Sequence, residues 1–333
     1  MAQNGFTLVE LLVSLTLGLL LVAGLGWVFL NSSRTNAELG KMNRQMENGR
    51  FAIYQLKDDL QHAGFWGELT NLPNPVGLVD PCKNYTVWSN SDKTSVLALP
   101  VQGYADGAGL PATCATPLSN RKTGTDVLVV RHVATCMPGT TDCAAAQMAL
   151  QVSVCGTDPI PWVMDVPGAS AFTLRRPDSM GRPCSHPSYV HTPALQRRVI
   201  ANTYFIRDYA KAVGDGIPTL MVLEPDAAGA ASPVPRPLVE GIDMLRVEYG
   251  IDNAGNDGVP DGYVTAASVT DWRHVVAVRL YVIARNLETT PGYTDEKTYP
   301  LPGGSAGPFN DAFKRHAYLL TVRLNNVAGR RAP

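Results

Sequence analysis

A single carboxylate stands inside an otherwise apolar stretch near the N-terminus. Residues 6–30 read FTLVELLVSLTLGLLLVAGLGWVFL, with no proline and one charge, Glu10. A charged side chain in hydrocarbon costs on the order of 2–3 kcal/mol even on lenient insertion scales, so Glu10 marks a functional position and calls for a cationic partner. Nothing nearby in the segment supplies one. Six cysteines form a second group with chemistry to offer: Cys82, Cys114, Cys136, Cys143, Cys155 and Cys184. An even number in loop-like sequence points to disulfides in an oxidising compartment. None forms a Cys-x-x-Cys pair and no histidine pair has zinc-ligand spacing, which argues against a structural zinc site. Connectivity stays open from sequence; Cys136–Cys143, closing a short loop, is the first pairing to expect.

A third group lies in Asp252-Asn253-Ala254-Gly255-Asn256-Asp257-Gly258-Val259-Pro260-Asp261. Asp252, Asn256, Asp257 and Asp261 are candidate calcium ligands, because calcium gathers hard oxygen donors. Ala254 interrupts the D-x-[DN]-x-[DN]-G spacing, and the same residue types build tight turns, which is the stronger reading. Gly303-Gly304-Ser305-Ala306-Gly307 fits G-x-S-x-G literally, but it lies in a loop rather than between a strand and a helix, so no nucleophile elbow is expected. The histidines (His62, His132, His186, His191, His274 and His316) are scattered and share no motif. Neither a Walker A loop nor a dinucleotide fingerprint is present. With 28 Lys+Arg against 29 Asp+Glu, the chain has no electrostatic footprint for nucleic acid. No catalytic residue is nominated, and an enzyme is not expected.

These residues must be positioned by a small set of elements. Twenty-five apolar residues in a helix reach about 37 Å, enough to cross a hydrocarbon core of roughly 30 Å. The run is too long for a standard secretory signal, and no Ala-x-Ala cleavage site follows it. Beyond it, Leu39, Met42, Met46, Gly49, Ile53, Leu56, Leu60 and Ala63 lay one apolar stripe on a continuing helix, with Lys41, Arg44, Glu47, Lys57 and Asp58 off it. Gly64 stands where a C-terminal cap is expected. Strands are expected at 95–99, 125–133, 148–154, 199–206, 220–223, 244–251, 275–284 and 317–324. Without intervening helical patterns, antiparallel pairing is favoured. The expected organisation is a leader (1–5), a membrane helix (6–30), an amphipathic helix (31–65), a cysteine-rich elaboration (66–190) and an antiparallel β-sheet part (191–333).

Gly5-Phe6-Thr7-Leu8-Val9-Glu10, followed by the apolar run, resembles the class III signal of type IV pilins and pseudopilins. The resemblance implies that a prepilin peptidase cuts between Gly5 and Phe6 and that the new amine of Phe6 is methylated. It also implies a partner for Glu10, the N-terminal amine of a neighbouring subunit as helices stack in a filament. Asn48-Gly49-Arg50-Phe51-Ala52-Ile53, through Leu60 to Ala63-Gly64-Phe65-Trp66-Gly67, is similar to the helix end of PilW-type minor pilins. Leu238-Val239-Glu240-Gly241-Ile242, Val247 to Asp252, Trp272 and Val276-Ala277-Val278-Arg279 resemble the same family.

The resemblance implies an α+β, type IV pilin-like fold, with the long N-terminal helix packed on an antiparallel head that carries a disulfide-containing insertion. It implies assembly with other minor and major pilins, a place at the pilus tip, and presentation of a PilY-type adhesin. Before assembly the chain would cross the inner membrane once, with its head in the periplasm. A J-type pseudopilin of a type II secretion system shares the same N-terminus and is the alternative, with an anchored periplasmic enzyme or binding protein further off. One feature pulls the other way. The leader MAQNG has no Lys or Arg, whereas Arg34, Lys41 and Arg44 follow the span. By the positive-inside rule alone these would favour a cytoplasmic C-terminal part; the cysteines and the signal outweigh them.

Overall fold

The computed structural model describes residues 7–136, 147–225 and 233–331. Gly5, Phe6 and Cys143 lie outside the described residues. From the N-terminus the chain forms one helix of 55 residues, α1 (Leu8–His62), about 80 Å long. Then come a short helix α2 (Asn90–Ala98) and strands β1 (Val101–Tyr104), β2 (Val127–Val133), β3 (Ala149–Val152), β4 (Trp162–Asp165), β5 (Gln196–Arg207), β6 (Thr219–Leu223) and β7 (Arg236–Glu240). They are followed by β8 (Ile242–Ile251), β9 (Gly262–Thr265), β10 (Val275–Arg285), β11 (Tyr299–Leu301), β12 (Gly304–Ala306), β13 (Arg315–Arg323) and a closing turn of helix α3 (Asn325–Ala328).

All strand pairs are antiparallel. One sheet runs β1-β2-β5-β3-β4, with β6 and β7 joined to the far half of β5; a second runs β13-β10-β8-β9; β11 and β12 make a hairpin. The twelve-residue β5 holds the first sheet together, pairing β2 along one edge and β3 then β6 along the other. That pairing joins strands from both sides of the expected division at residue 190. The change of sheet comes later, at Gly241, the one residue between β7 and β8. Its φ of +77° and its approach to the Arg285 carbonyl leave no room for a side chain.

The main core lies between the two sheets and the second half of α1. Ala52, Leu56, Leu60 and Ala63 pack against Leu128, Val130, Ile206 and Leu220 of the first sheet and Leu245, Val247, Leu280 and Val282 of the second. β2 is buried on both faces: Val127 and Val129 turn away from α1 into a layer built around the Cys82–Cys114 disulfide. That double burial explains why Val127-Leu128-Val129-Val130 reads as a continuous apolar run.

Three expectations change. Residues 95–99 are not a strand; they are the last turn of α2 and its C-cap, and Val96, Leu97 and Ala98 are buried there in a helix started by the Ser89–Asp92 capping box. The buried stripe of α1 is rotated from the expected one. Leu39 and Met42 are exposed, whereas Gln45 and Asp59 are buried and Lys41 is half-buried. Gln45 donates to the carbonyls of Ala284 and Lys314, both at 2.8 Å, which makes a polar residue fit the docking face. Ser305 lies in β12 of the hairpin, again without the strand-to-helix turn of a nucleophile elbow.

Gly49 allows the closest approach of α1 to the second sheet. The Tyr318 ring of β13 lies against it, so that an added Cβ would be 2.5 Å from Cζ. Tyr318 also donates to the Met46 carbonyl (3.3 Å) and stacks edge-on with His316, so the ring is not free to move aside. Gly49→Ala should therefore destabilise the head by about 1–2 kcal/mol in denaturant unfolding, as overpacking exceeds the helix-propensity gain of about 1 kcal/mol.

Candidate functional site

The N-terminal half of α1 is the first functional surface. It is the one described helix long and apolar enough to cross a membrane, and none of its apolar window is buried by the rest of the chain. Leu8, Leu19, Leu25, Trp27 and Phe29 are each about 70% exposed or more. Thr7 caps this helix in extended conformation, accepting from the Glu10 N–H. Glu10 Oε2 in return accepts from the Thr7 N–H (3.0 Å) and hydroxyl (2.9 Å). Thr7-x-x-Glu10 is thus a capping box, a role not expected from the sequence, and the carboxylate satisfies the helix start; among the described residues no cation pairs with Glu10. Its other oxygen, Oε1, accepts nothing among the described residues.

Beyond its apolar half, α1 is clasped by the loop after β10. Thr290 donates to Glu38 (2.7 Å), Lys41 donates to Glu38 (2.9 Å) and to the Thr289 carbonyl, and Lys314 pairs with Glu38 at 3.1 Å. The Thr290 hydroxyl first, and then Lys41, hold the Glu38 carboxyl down at about 2. Arg44 pairs with Glu288 at 3.3 Å. This loop is itself fixed by a buried charge network. Arg315 donates to Asp243, Asp295 and Asp311, and Lys122 pairs with Asp243. Burial pushes the Asp243 carboxyl up, but the Lys122 charge and the donors of Lys122 and Arg315 outweigh it and hold it low.

A second polar cluster lies under the far end of α1. Asp59 accepts from His132 Nε2 (2.7 Å), the Tyr204 hydroxyl (2.9 Å) and Asn202 (3.2 Å). His132 Nδ1 also lies 3.0 Å from the Val133 carbonyl, so both ring nitrogens face acceptors, an arrangement that favours the doubly protonated ring. Burial draws its pKa down, but the Asp59 hydrogen bond and charge outweigh that and hold it above the ordinary histidine value. His62 comes within 5.7 Å of His132, ring to ring, so two of the scattered histidines do meet. The helix ends here as expected, Gly64 taking φ +75° and donating to the Arg131 carbonyl.

The Asp252–Asp261 loop is arranged as a turn. Asp252 accepts from the Asn256 and Gly258 N–H groups and pairs with Arg331; Asp261 accepts from the Asn253 and Ala254 N–H groups; Asp257 accepts from Val259. Burial raises the Asp252 carboxyl, and the Gly258 and Asn256 donors and Arg331 more than offset it. Asn256 takes φ +48°, as turn residues do. Cys82 joins Cys114 and Cys155 joins Cys184. Cys136 is also disulfide-bonded, and Cys143, the partner expected from sequence, lies outside the described residues.

One edge of the head is open. β13 is the outer strand of the second sheet, and among the described residues no strand pairs with its far side. The bonds from Asn286 N–H to Lys314 O and from Leu324 N–H to Val276 O fix the alternation, so the N–H and C=O groups of Ala317, Leu319 and Thr321 face outward. Leu319 is 64% exposed, and the strand carries no proline and no bulge against β10 to blunt it.

Comparison with known proteins adds two matches along the chain. The family model of type IV pilus-assembly protein W matches residues 203–326, from the middle of β5 through the second sheet to α3. That of the prokaryotic N-terminal methylation motif matches residues 1–26. Among solved structures, a type IV-like pilin from Thermus thermophilus is similar at 14% identity, over 86% of this chain and 98% of its own, with a TM-score of 0.35. No curated protein matches the chain significantly.

Proposed function

We propose that the chain works as a type IV pilin-like minor pilin in pilus assembly, a reading supported by the PilW-type family match at residues 203–326 behind an N-terminal methylation motif at residues 1–26. A prepilin peptidase cuts between Gly5 and Phe6, and Phe6 is N-methylated. Until then the apolar half of α1 crosses the inner membrane once and the head stands in the periplasm, where its disulfides form. On assembly the same helix leaves lipid for the filament core. Glu10 Oε1 then meets the amine of a neighbouring subunit, so the buried charge sets the register between them.

The observation that carries this reading is the division of α1. Its C-terminal half is docked on the head from Glu38 to Ala63, while none of its apolar window is buried by the described residues. A single chain leaves that surface for lipid or for other helices of the same kind. The unblunted β13 edge supports contacts between heads, made with other minor and major pilins. We place the chain at the pilus tip, priming assembly and presenting a PilY-type adhesin. Its work is structural.

The test is mass spectrometry of the N-terminal peptide from native membranes. The expected species begins at Phe6 and carries one methyl group. A chain that still begins at Met1 or Ala2, in cells with an active prepilin peptidase, overturns the reading.

A further inference from the structure

The cations that follow the span are not equivalent, and the difference accounts for the charge asymmetry that conflicts with the signal. Lys41 is neutralised by Glu38 at 2.9 Å, and Arg44 by Glu288 at 3.3 Å. Arg34 alone of the three pairs with no carboxylate among the described residues. It borders a half-open cleft of about 420 Å³ whose other walls are Ala37, Glu38, Lys41, Thr290 and Pro291. On the helix, Arg34, Ala37 and Lys41 share one face, turned to the loop at Thr290–Pro291 that closes the cleft from the head side. The cleft thus holds two cations and one carboxylate, and Lys41 is already engaged with Glu38.

Its height is set by the helix. Arg34 lies four residues beyond Leu30, the last apolar residue of the span, or about 6 Å along the axis. The polar layer of a bilayer leaflet is roughly 5–8 Å thick. An unpaired guanidinium at that level stands among head-group phosphates, which it binds through a planar fork of donors. We propose that Arg34 and the cleft above it seat the phosphate of an anionic phospholipid head group while the chain is in the membrane. This rests on the membrane-anchored state proposed above. The seat gives the cluster of positive charge after the span a role other than topology: two of its members fasten the head to α1, and the third faces the lipid.

The probe is native mass spectrometry of the full-length protein in detergent micelles doped with either phosphatidylglycerol or phosphatidylcholine. Phosphatidylglycerol adducts should exceed phosphatidylcholine adducts about fivefold, the weight of one basic residue at a charged surface. Arg34→Gln should remove that preference. Ala37→Trp, which fills the cleft without changing charge, should do the same. Arg50→Gln, an exposed cation farther up the helix, should keep it.

Equal adducts in wild type and Arg34→Gln would overturn the proposal, and so would an equal loss in Arg50→Gln, which would mean bulk charge. Inorganic phosphate offered without lipid should give no Arg34-dependent adduct; if it does, the site takes a free anion and the lipid assignment fails. Flotation with vesicles separates the two levels. A chain that does not float overturns the anchored state itself, whereas one that floats without lipid preference overturns the head-group seat alone.

Discussion

Glu10→Gln should stop incorporation into the filament as completely as Glu10→Ala, a drop of roughly 100-fold, while cleavage after Gly5 continues. The comparison separates two tasks that one carboxylate performs. Through Oε2 it receives the N–H and hydroxyl of Thr7 and caps its own helix. Glutamine serves that position in a capping box nearly as well as glutamate, and losing the cap costs about 1 kcal/mol. Through Oε1, which accepts nothing among the described residues, it is available to a neighbour's amine. Removing one partner of a buried pair costs about 3–5 kcal/mol, and each 1.4 kcal/mol or so is a factor of about ten in an equilibrium. If the cap were the main requirement, Gln would restore assembly and Thr7→Val would be as harmful as Glu10→Ala. If the charge is the requirement, Gln fails and Thr7→Val costs only about fivefold. Quantifying the protein in sheared filaments against membranes, for all four chains, decides between them.

The capping box at Thr7 is also a lesson in what the sequence shows. The same pattern, Ser89-x-x-Asp92, starts α2. Both signals are local and both lay in plain view, but each was masked by a stronger pattern beside it. An apolar run hid the first, and Val96-Leu97-Ala98-Leu99 looked like a strand because a short buried helix end has no amphipathic period to read. The central strands of both sheets were legible, since β2, β5, β8 and β10 carry dense β-branched and aromatic residues between turns. The short strands β1, β4, β7, β9, β11 and β12 were not. They are three to five residues long and owe their conformation to the neighbour they pair with. The rotated stripe on α1 has a similar cause. Gln45 and Asp59 read as solvent-facing because their partners, two strand-end carbonyls in one case and His132, Tyr204 and Asn202 in the other, come from residues more than 70 positions away. For the same reason the sequence of β5 gives no sign that it pairs across residue 190, with β2 and β3 on one side of it and β6 on the other.

Asp59 is where that non-local chemistry has its largest effect on stability. Below the folded pKa of His132, Asp59→Ala should destabilise the head by about 3–5 kcal/mol, because it leaves a buried imidazolium without a counterion and two further donors, Tyr204 and Asn202, without an acceptor. Asp59→Asn keeps an acceptor for one or two of those donors and should cost less, about 2 kcal/mol. The pair also sets a pH dependence whose direction follows from His132. Its folded pKa lies above the unfolded value of about 6.5, since Asp59 and the Val133 carbonyl outweigh burial. The contribution is therefore complete below about pH 6.5 and is lost as pH rises through the folded pKa. Above it, one ring nitrogen loses its proton while still facing an acceptor, either the Asp59 carboxylate or the Val133 carbonyl, and the contact turns from attraction to repulsion.

Denaturant unfolding of the full-length protein in detergent, followed from pH 6 to pH 9, should show stability falling across that interval in wild type and a flatter profile in Asp59→Asn. An equal slope in both chains would move the pH dependence away from His132. The geometry makes the consequence structural. The cluster ties the last turns of α1 to β2 and β5, and Asp59 lies 21 residues beyond Glu38 of the clasp, about 32 Å along the helix. Loss of the Asp59 contacts should thus free the far end of the helix first. The clasp at Glu38 should persist through the same pH range, because its carboxyl stays ionised from about pH 2 upward.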